Sequence, residues 1–540
     1  MADRTLQACD EGVIRSKQHD PTHAESARPW VLAATILGSS LASITTSAVN
    51  VALPNLQSAL DTTLVNAQWV VNAYTLFLAS LILLGGSLGD HYGRRRIYVV
   101  GTILFGLASV WSGLAPGVTQ LIMARAFQGI GAALLVPGSL AIISAAFPES
   151  ERGAAIGLWS GFTAITTAAG PVLGGFVTDA LSWRWVFFMV VPLAVLVVLI
   201  SLWRVPESKD DEVEGGLDYW GAALATLGLA GFTFGLLRSP NAGWGDPLVV
   251  AALVAGVVFI AAFLWVESRV KGAMMPLDLF KSSTFAGANL LTLLLYAALG
   301  AALFFLPYHF QQVQGYSATL TGLAMLPMIL LMTLLARWAG GLVDRVGARL
   351  PLIVGPSLVG AGFALLAIPG RDANYWLTFF PALLVLGLGL AVSVAPLTTT
   401  VMNAVATHRA GTASGINNAA ARLANLLAVA VFGVLILLVF NPSLTANLEP
   451  IDLSAETLQQ IDSQRSELVN LSVPEGLSET QGERVEQAVQ DAFVQGFRFV
   501  TLVCAGLAVL SAVAAWFMIK DEEASEDNGN AREQKAAKQG

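Results

Sequence analysis

Fourteen long apolar runs, separated by mostly short polar turns, leave this chain few ways to fold. They lie at roughly 30–53, 67–88, 97–115, 119–146, 154–179, 185–203, 219–237, 248–266, 285–309, 319–342, 351–369, 376–402, 412–440 and 496–518, each near the 20 residues a helix needs to cross a bilayer. A membrane β-barrel would show shorter, alternating segments. Hydrophobic residues make up 55% of the 540-residue chain and charged residues 12%, where a soluble domain carries roughly 25% charged residues. The expected fold class is an all-α polytopic membrane protein.

The basic residues sort by side. One set of loops holds Arg94, Arg95, Arg96, Arg152, Lys209, Arg269, Lys271, Lys281, Arg345, Arg349 and Arg409; the alternate set holds Arg184, Arg238, Arg371, Arg465 and Arg484. The richer set is expected to be cytoplasmic, and with an even span count both termini follow it. The net charge of −8 comes largely from Asp210-Asp211-Glu212, the acidic part of 449–491 and Asp521-Glu522-Glu523. No basic stripe suggests nucleic acid. Cys9 and Cys504 offer neither a disulfide framework nor a metal site, and no cofactor is expected. Residues 1–28 lack the pattern of a cleaved signal peptide, so the first apolar run is expected to stay as a signal-anchor. The segment 441–494 is long, polar and outward-facing. Its 483–493 run has helical spacing, so one or two short amphipathic helices are expected there. The tail at 520–540 reads as disordered.

One polar loop recurs. Gly86-Ser87-Leu88-Gly89-Asp90-His91-Tyr92-Gly93-Arg94-Arg95-Arg96 has a degenerate copy at Gly340-Gly341-Leu342-Val343-Asp344-Arg345-Val346-Gly347-Ala348-Arg349. In both, Gly precedes Asp by four residues, Gly follows by three and Arg comes just after. The glycines let helix ends pack closely, and Asp90 can pair with an Arg or cap a helix. The repeat implies a duplicated machine with paired hinges; a plain positive-inside anchor is the alternative. Within the spans, Arg125 sits in Arg125-Ala126-Phe127-Gln128-Gly129-Ile130-Gly131. A charge there needs protein or water around it, as a relay or cavity group, or as a structural pair with a carbonyl. In Gly170-Pro171-Val172-Leu173-Gly174-Gly175, Gly170 and Gly174 make a small-xxx-small face and Pro171 a kink. Asn50, Asn72, Asn289, Asn417, Asn418 and Arg422 are cavity candidates, as are Arg337, Asn403 and Asn425, or else interhelical hydrogen-bonding groups. His309, beside Tyr308, Gln311 and Gln312, is expected to be a satisfied interfacial histidine.

These motifs resemble those of the major facilitator superfamily, and with fourteen spans they resemble its fourteen-span drug:proton antiporter branch. Asn50-Val51-Ala52-Leu53-Pro54, Trp183-Arg184-Trp185-Val186-Phe187-Phe188 and Gly411-Thr412-Ala413-Ser414-Gly415 carry the same likeness. The resemblance implies two six-helix bundles, at 29–204 and 284–519, with a two-helix insertion at 205–283, a tail at 1–28 and a second tail at 520–540. It implies gating by Gly86, Asp90, Gly93, Arg94, Arg95, Gly340, Asp344, Gly347 and Arg349, and cavity sealing by Gly170, Pro171 and Gly174. It also implies a relay role for Arg125.

One departure stands out. Many members of that branch carry an Asp five residues before the Asn of Asn-Val-Ala-Leu-Pro; here the position is Thr45. No Asp or Glu lies deep in any of the spans, and Asp90 is the remaining coupling candidate. The expected function is export of hydrophobic or amphipathic small molecules from a bacterial inner membrane by alternating access, with a proton as a weakened candidate co-substrate. The cargo cavity would include Thr45. An uncoupled facilitator or uptake carrier is the alternative within transport. A non-transporting sensor or scaffold that binds a periplasmic partner through 441–494 is the rival class. No Walker loop, His-Glu-x-x-His or nucleophile elbow points to an enzyme.

Overall fold

A computed structural model describes residues 21–209, 218–270, 275–405, 410–471, 474 and 477–520. The acidic stretch at 210–212 and the tail 521–540 lie outside the described residues. The helices are α1 (Pro21–Ala59), α2 (Leu64–Tyr92), α3 (Arg94–Leu114), α4 (Val118–Ala146), α5 (Glu149–Ala180), α6 (Trp185–Phe188), α7 (Val191–Arg204), α8 (Tyr219–Ala242), α9 (Pro247–Glu267), α10 (Ser283–Tyr308), α11 (Ala318–Gly340), α12 (Leu342–Val346), α13 (Arg349–Leu366), α14 (Phe379–Asn403), α15 (Ala410–Leu448), α16 (Ala455–Ser463) and α17 (Glu479–Met518). Fourteen helical stretches among them are long and apolar enough to cross a membrane. The sixth joins α6 and α7, with Pro192 in the first turn of α7.

Side-chain caps define several starts. Thr63 accepts from the Asn66 amide, Ser282 from Phe285 and Ser317 from Leu320, while the Asp246 carboxylate takes both Leu248 and Val249. Each satisfies a donor that the first turn of a helix leaves unpaired.

The packing is twofold. α4 packs on α2 and α3, α1 on α5 and α7, and α3 on α7. The same pattern returns downstream: α14 packs on α11 and α13, α10 on α15 and α17, and α13 on α17. The sequence repeat is thus a repeat of packing. α8 and α9 pair with each other, and α8 leans on α2 and α15, where the two groups meet.

The segment after α15 departs from expectation. α15 runs on to Leu448, and α17 starts at Glu479 under a Ser478–Gln481 capping box and continues unbroken into the last span. The 483–493 run is therefore the first part of a 40-residue helix and not a separate short one. Its apolar stripe of Val485, Ala488, Val489, Ala492 and Phe493 is buried, so nothing interrupts the helix before it enters the apolar run. α16 and a 3-10 turn at Arg465–Asn470 are the short helices found there.

Candidate functional site

The two polar loops occupy equivalent places, and below their end of the molecule is called the hinge end. Gly93 separates α2 from α3 with φ +110°, and Gly347 separates α12 from α13 with φ +77°. Side chains other than Gly rarely adopt such angles, which is why a Gly recurs three residues after each Asp. The Asp90 carboxylate accepts from Arg94 Nε at 2.8 Å. Glu207, which follows α7, then clasps the loop. It accepts the Arg95 amide at 3.0 Å, and its other oxygen stands 3.6 Å from both Arg95 and Arg96. Arg349 donates to the Trp516 carbonyl at 2.7 Å and lies over its ring. The side chains of Asp344 and Arg337 lie outside the described residues. Gly340 and Gly86 make ordinary contacts with Ala395 and Pro137. The tight approach falls one residue earlier, at Gly85, where a Cβ would stand 2.8 Å from the Ala133 carbonyl carbon.

Arg125 is completely buried. It donates to the Val70 carbonyl at 3.0 Å and to Gln128 Oε1, and its guanidinium lies 4.3 Å from the Tyr74 ring centroid. Gln128 passes the network to Ser109 at 2.7 Å. No acid enters this network among the described residues, so the geometry is that of a helix tie between α2, α3 and α4.

At the far end the two groups are bolted together. Asp179 at the end of α5 accepts the Ala318 and Thr319 amides of α11 at 3.1 and 2.7 Å, and also the Thr319 hydroxyl. The backbones touch here: a Cβ on Gly175 would stand 2.6 Å from the Ala318 carbonyl carbon, and one on Gly322 2.6 Å from that of Pro171. Gly174 lies so close to Ala48 that a Cβ would come within 2.6 Å of its Cα, and Gly170 abuts Ser47. Tyr308 donates to Gln57 Oε1, Asn55 to Gln311 Oε1 and Gln311 to the Val51 carbonyl, each at 2.8 Å. Gln68 of α2 donates to Val429 O of α15 at 2.8 Å. In the hinge-end half of α5, by contrast, Gly157 and Gly161 face open space, and Leu158 and Phe162 are exposed. The structure is shut at the far end, while at the hinge end α5 stands clear of the opposite bundle.

The expected cavity residues divide. Thr45 is fully buried, its hydroxyl donating to the Leu41 carbonyl, and does not face the cleft. Asn72 is fully buried with neither side-chain atom partnered, and Asn50 is half-buried. Asn417 donates to Asn289 at 3.3 Å and Thr292 at 2.6 Å, tying α15 to α10. Asn418 is exposed, and Arg422 is half-buried in electrostatic contact with Tyr296. His309 corrects the interfacial expectation. It is fully buried, neither ring nitrogen has a partner, and Phe379, Phe493 and Phe497 surround it. It opens a π turn, His309–Val313, that also presents Gln311 to α1. Glu207, Gln57 and Gln311 carry no signal in the sequence beyond being polar. Asp179, at the edge of a span opposite a Ser317-Ala318-Thr319 helix start, could have been found.

The model of the Major Facilitator Superfamily matches residues 35–429. The chain belongs to this superfamily. Its relatives include the multidrug resistance protein Stp of Mycobacterium tuberculosis, 33% identical over 90% of this chain and 91% of its own. The puromycin resistance protein of Streptomyces alboniger is 33% identical over 93% and 94%. The tetracenomycin C resistance and export protein of Streptomyces glaucescens is 28% identical over 94% and 96%. A bacterial homologue of the lysosomal transporter Spinster, solved in an inward-facing and occupied conformation, shares the superfamily fold. Its TM-score is 0.64 at 16% identity, over 91% of this chain and 96% of that one. A D-xylose–proton symporter superposes with a TM-score of 0.57 at 15% identity, over 91% and 98%.

Proposed function

We propose that this superfamily member is a secondary transporter that exports hydrophobic or amphipathic small molecules by alternating access. The observation that carries the reading is the asymmetry of the cleft, bolted at the far end through Asp179, Gln57 and Gln311, with α5 standing clear of the opposite bundle at the hinge end. That is one of the two end states a rocking mechanism requires. Relatives that are resistance and export proteins across nearly their whole length support the outward direction. The excess of Lys and Arg in the hinge-end loops supports a cytoplasmic hinge end, both termini in the cytoplasm and residence in a bacterial plasma membrane. On that orientation the cleft opens to the cytoplasm and the inner leaflet.

The paired hinges are the moving joints of this reading. Gly93 and Gly347 set the turns, Asp90–Arg94 and Glu207 hold the first loop, and Arg349 holds the second to α17. The two bundles of about six spans each, 29–204 and 284–519, rock as units around the insertion. The far-end segment 441–494 is read as a cap. Its Glu467 carbonyl accepts from Gln57, the residue that also takes the Tyr308 hydroxyl. That shared partner favours a part in gating over a purely docking role.

The test is accumulation of amphiphilic dyes, drugs and lipids in inverted membrane vesicles. Asp90→Asn should lower the rate severalfold at unchanged membrane level. A phenotype that survives Asp90→Asn but is lost when 450–478 is removed would support the scaffold class instead.

A further inference from the structure

Arg422 has no hydrogen-bond or ion-pair partner among the described residues. It lies ten residues into the apolar run at 412–440, well inside the hydrophobic stretch of α15. Its direction can be read from its neighbours on α15. On one side, Gly415 abuts Leu83 of α2 and Val429 accepts from Gln68 of α2. On the other, Asn417 bonds Asn289 and Thr292 of α10, and Asn425 abuts Gly300 of α10. Arg422 lies seven residues from each of Gly415 and Val429, on the stripe of α15 that faces α2, so it points toward the opposite bundle rather than toward lipid. Asn418, one turn toward the hinge end on the same face, is exposed. The guanidinium therefore stands inside the apolar run on the wall of the cleft, near enough to Tyr296 to act on it electrostatically.

No carboxylate meets it among the described residues. α4, α10, α11, α14 and α15 contain no Asp or Glu at all, and the one acid of α1, Glu25, sits among its first five residues with its side chain outside the described residues. The acids of the neighbouring helices are engaged at the two ends: Asp90 with Arg94, Glu151 with Arg28, Asp179 with the start of α11. Arg125, inside α4, is fully buried and held by Val70, Gln128 and Tyr74. A cation inside the membrane is costly unless something answers it. We infer that Arg422 is the anchor of the cargo site and that the cargo class is an anionic amphiphile, its carboxylate, sulfonate or phosphate on the guanidinium and its apolar body along the cleft. Arg suits this task because its planar fork stays charged and pairs two oxygens at once.

This inference rests on the transport reading, but its test does not require transport. Three pyrene probes of one shape would be titrated into protein in phosphatidylcholine nanodiscs: pyrenebutyrate, pyrenebutanol and pyrenebutyl-trimethylammonium. The butyrate should bind at least about tenfold more tightly than the alcohol, the scale of a charge-assisted pair, and the ammonium more weakly than either. Arg422→Gln should bring the butyrate to the affinity of the alcohol without moving the alcohol, and Arg422→Lys should keep most of the preference. Added chloride should weaken the butyrate alone, a readout that serves even if the glutamine variant fails to fold. Competition by added phosphatidylglycerol would assign the site to lipid headgroups, and its absence to soluble cargo; both keep the anion site. Equal affinity for the three probes, or a preference that survives Arg422→Gln, overturns it. Anion binding without dye accumulation in vesicles would instead sink the transport reading and leave the site standing.

Discussion

Arg125 and Arg422 are the same residue type inside apolar helices, and their surroundings give them opposite characters. Arg125 has a carbonyl, an amide oxygen and a ring face, so it holds helices. Arg125→Leu should leave Gln128 Oε1 buried and unpaired, at about 1–3 kcal/mol. The expected result is a lower melting temperature in detergent, together with any loss of transport; transport lost at unchanged stability would restore a relay role. Gly174 shows the opposite constraint, space. Gly174→Val must push α1 from α5, at about 1–3 kcal/mol for overpacking. It should abolish the seal at the Gly174–Ala48 contact, read as leak of a small dye through proteoliposomes. Neither residue's role could be settled from the sequence, because an Arg in an apolar run looks the same whether its partners are carbonyls or water.

At the scale of elements, the spans were legible because twenty apolar residues have one use, and the paired Gly–Asp–Gly–Arg loops were legible because Gly93 and Gly347 need positive φ. The extensions were not. α17 runs on from the far-end segment because its amphipathic stripe, Val485 to Phe493, passes into the span without a cap or a proline. A polar stretch next to an apolar one reads as a boundary, although the backbone sees none. The cap also carries a titrating contact. Burial raises the proton affinity of Glu467, and Asp61 in the α1–α2 turn raises it further. A carboxyl whose pKa is higher docked than free favours docking below the free value, and that advantage is lost as pH rises through the docked value. Hydrogen exchange of 455–470 should therefore slow on acidification from neutral pH, and Glu467→Gln should flatten the response. Equal exchange in both proteins across that range would remove the contact from the gating account.

At the scale of the whole molecule, the duplicated packing of α1–α7 and α10–α17 makes two bodies, and the far-end bolts hold them on one side of the cleft. With Thr45 buried against its own helix and no acid within the wall, the cleft lacks an embedded proton carrier among the described residues. Export by this superfamily member should accordingly persist, at half or more of its rate, when a protonophore collapses the pH gradient. Complete loss would place coupling on an acid at a span end, with Asp90 first to be replaced. The central claim, that export requires the far end to part, has a direct test. Asp179 and Thr319 touch across the bundles, so the pair Asp179→Cys and Thr319→Cys can be oxidised to hold them together. Dye accumulation in inverted vesicles carrying this pair should stop on oxidation and return on reduction. Accumulation that continues unchanged through the cross-link would contradict the account.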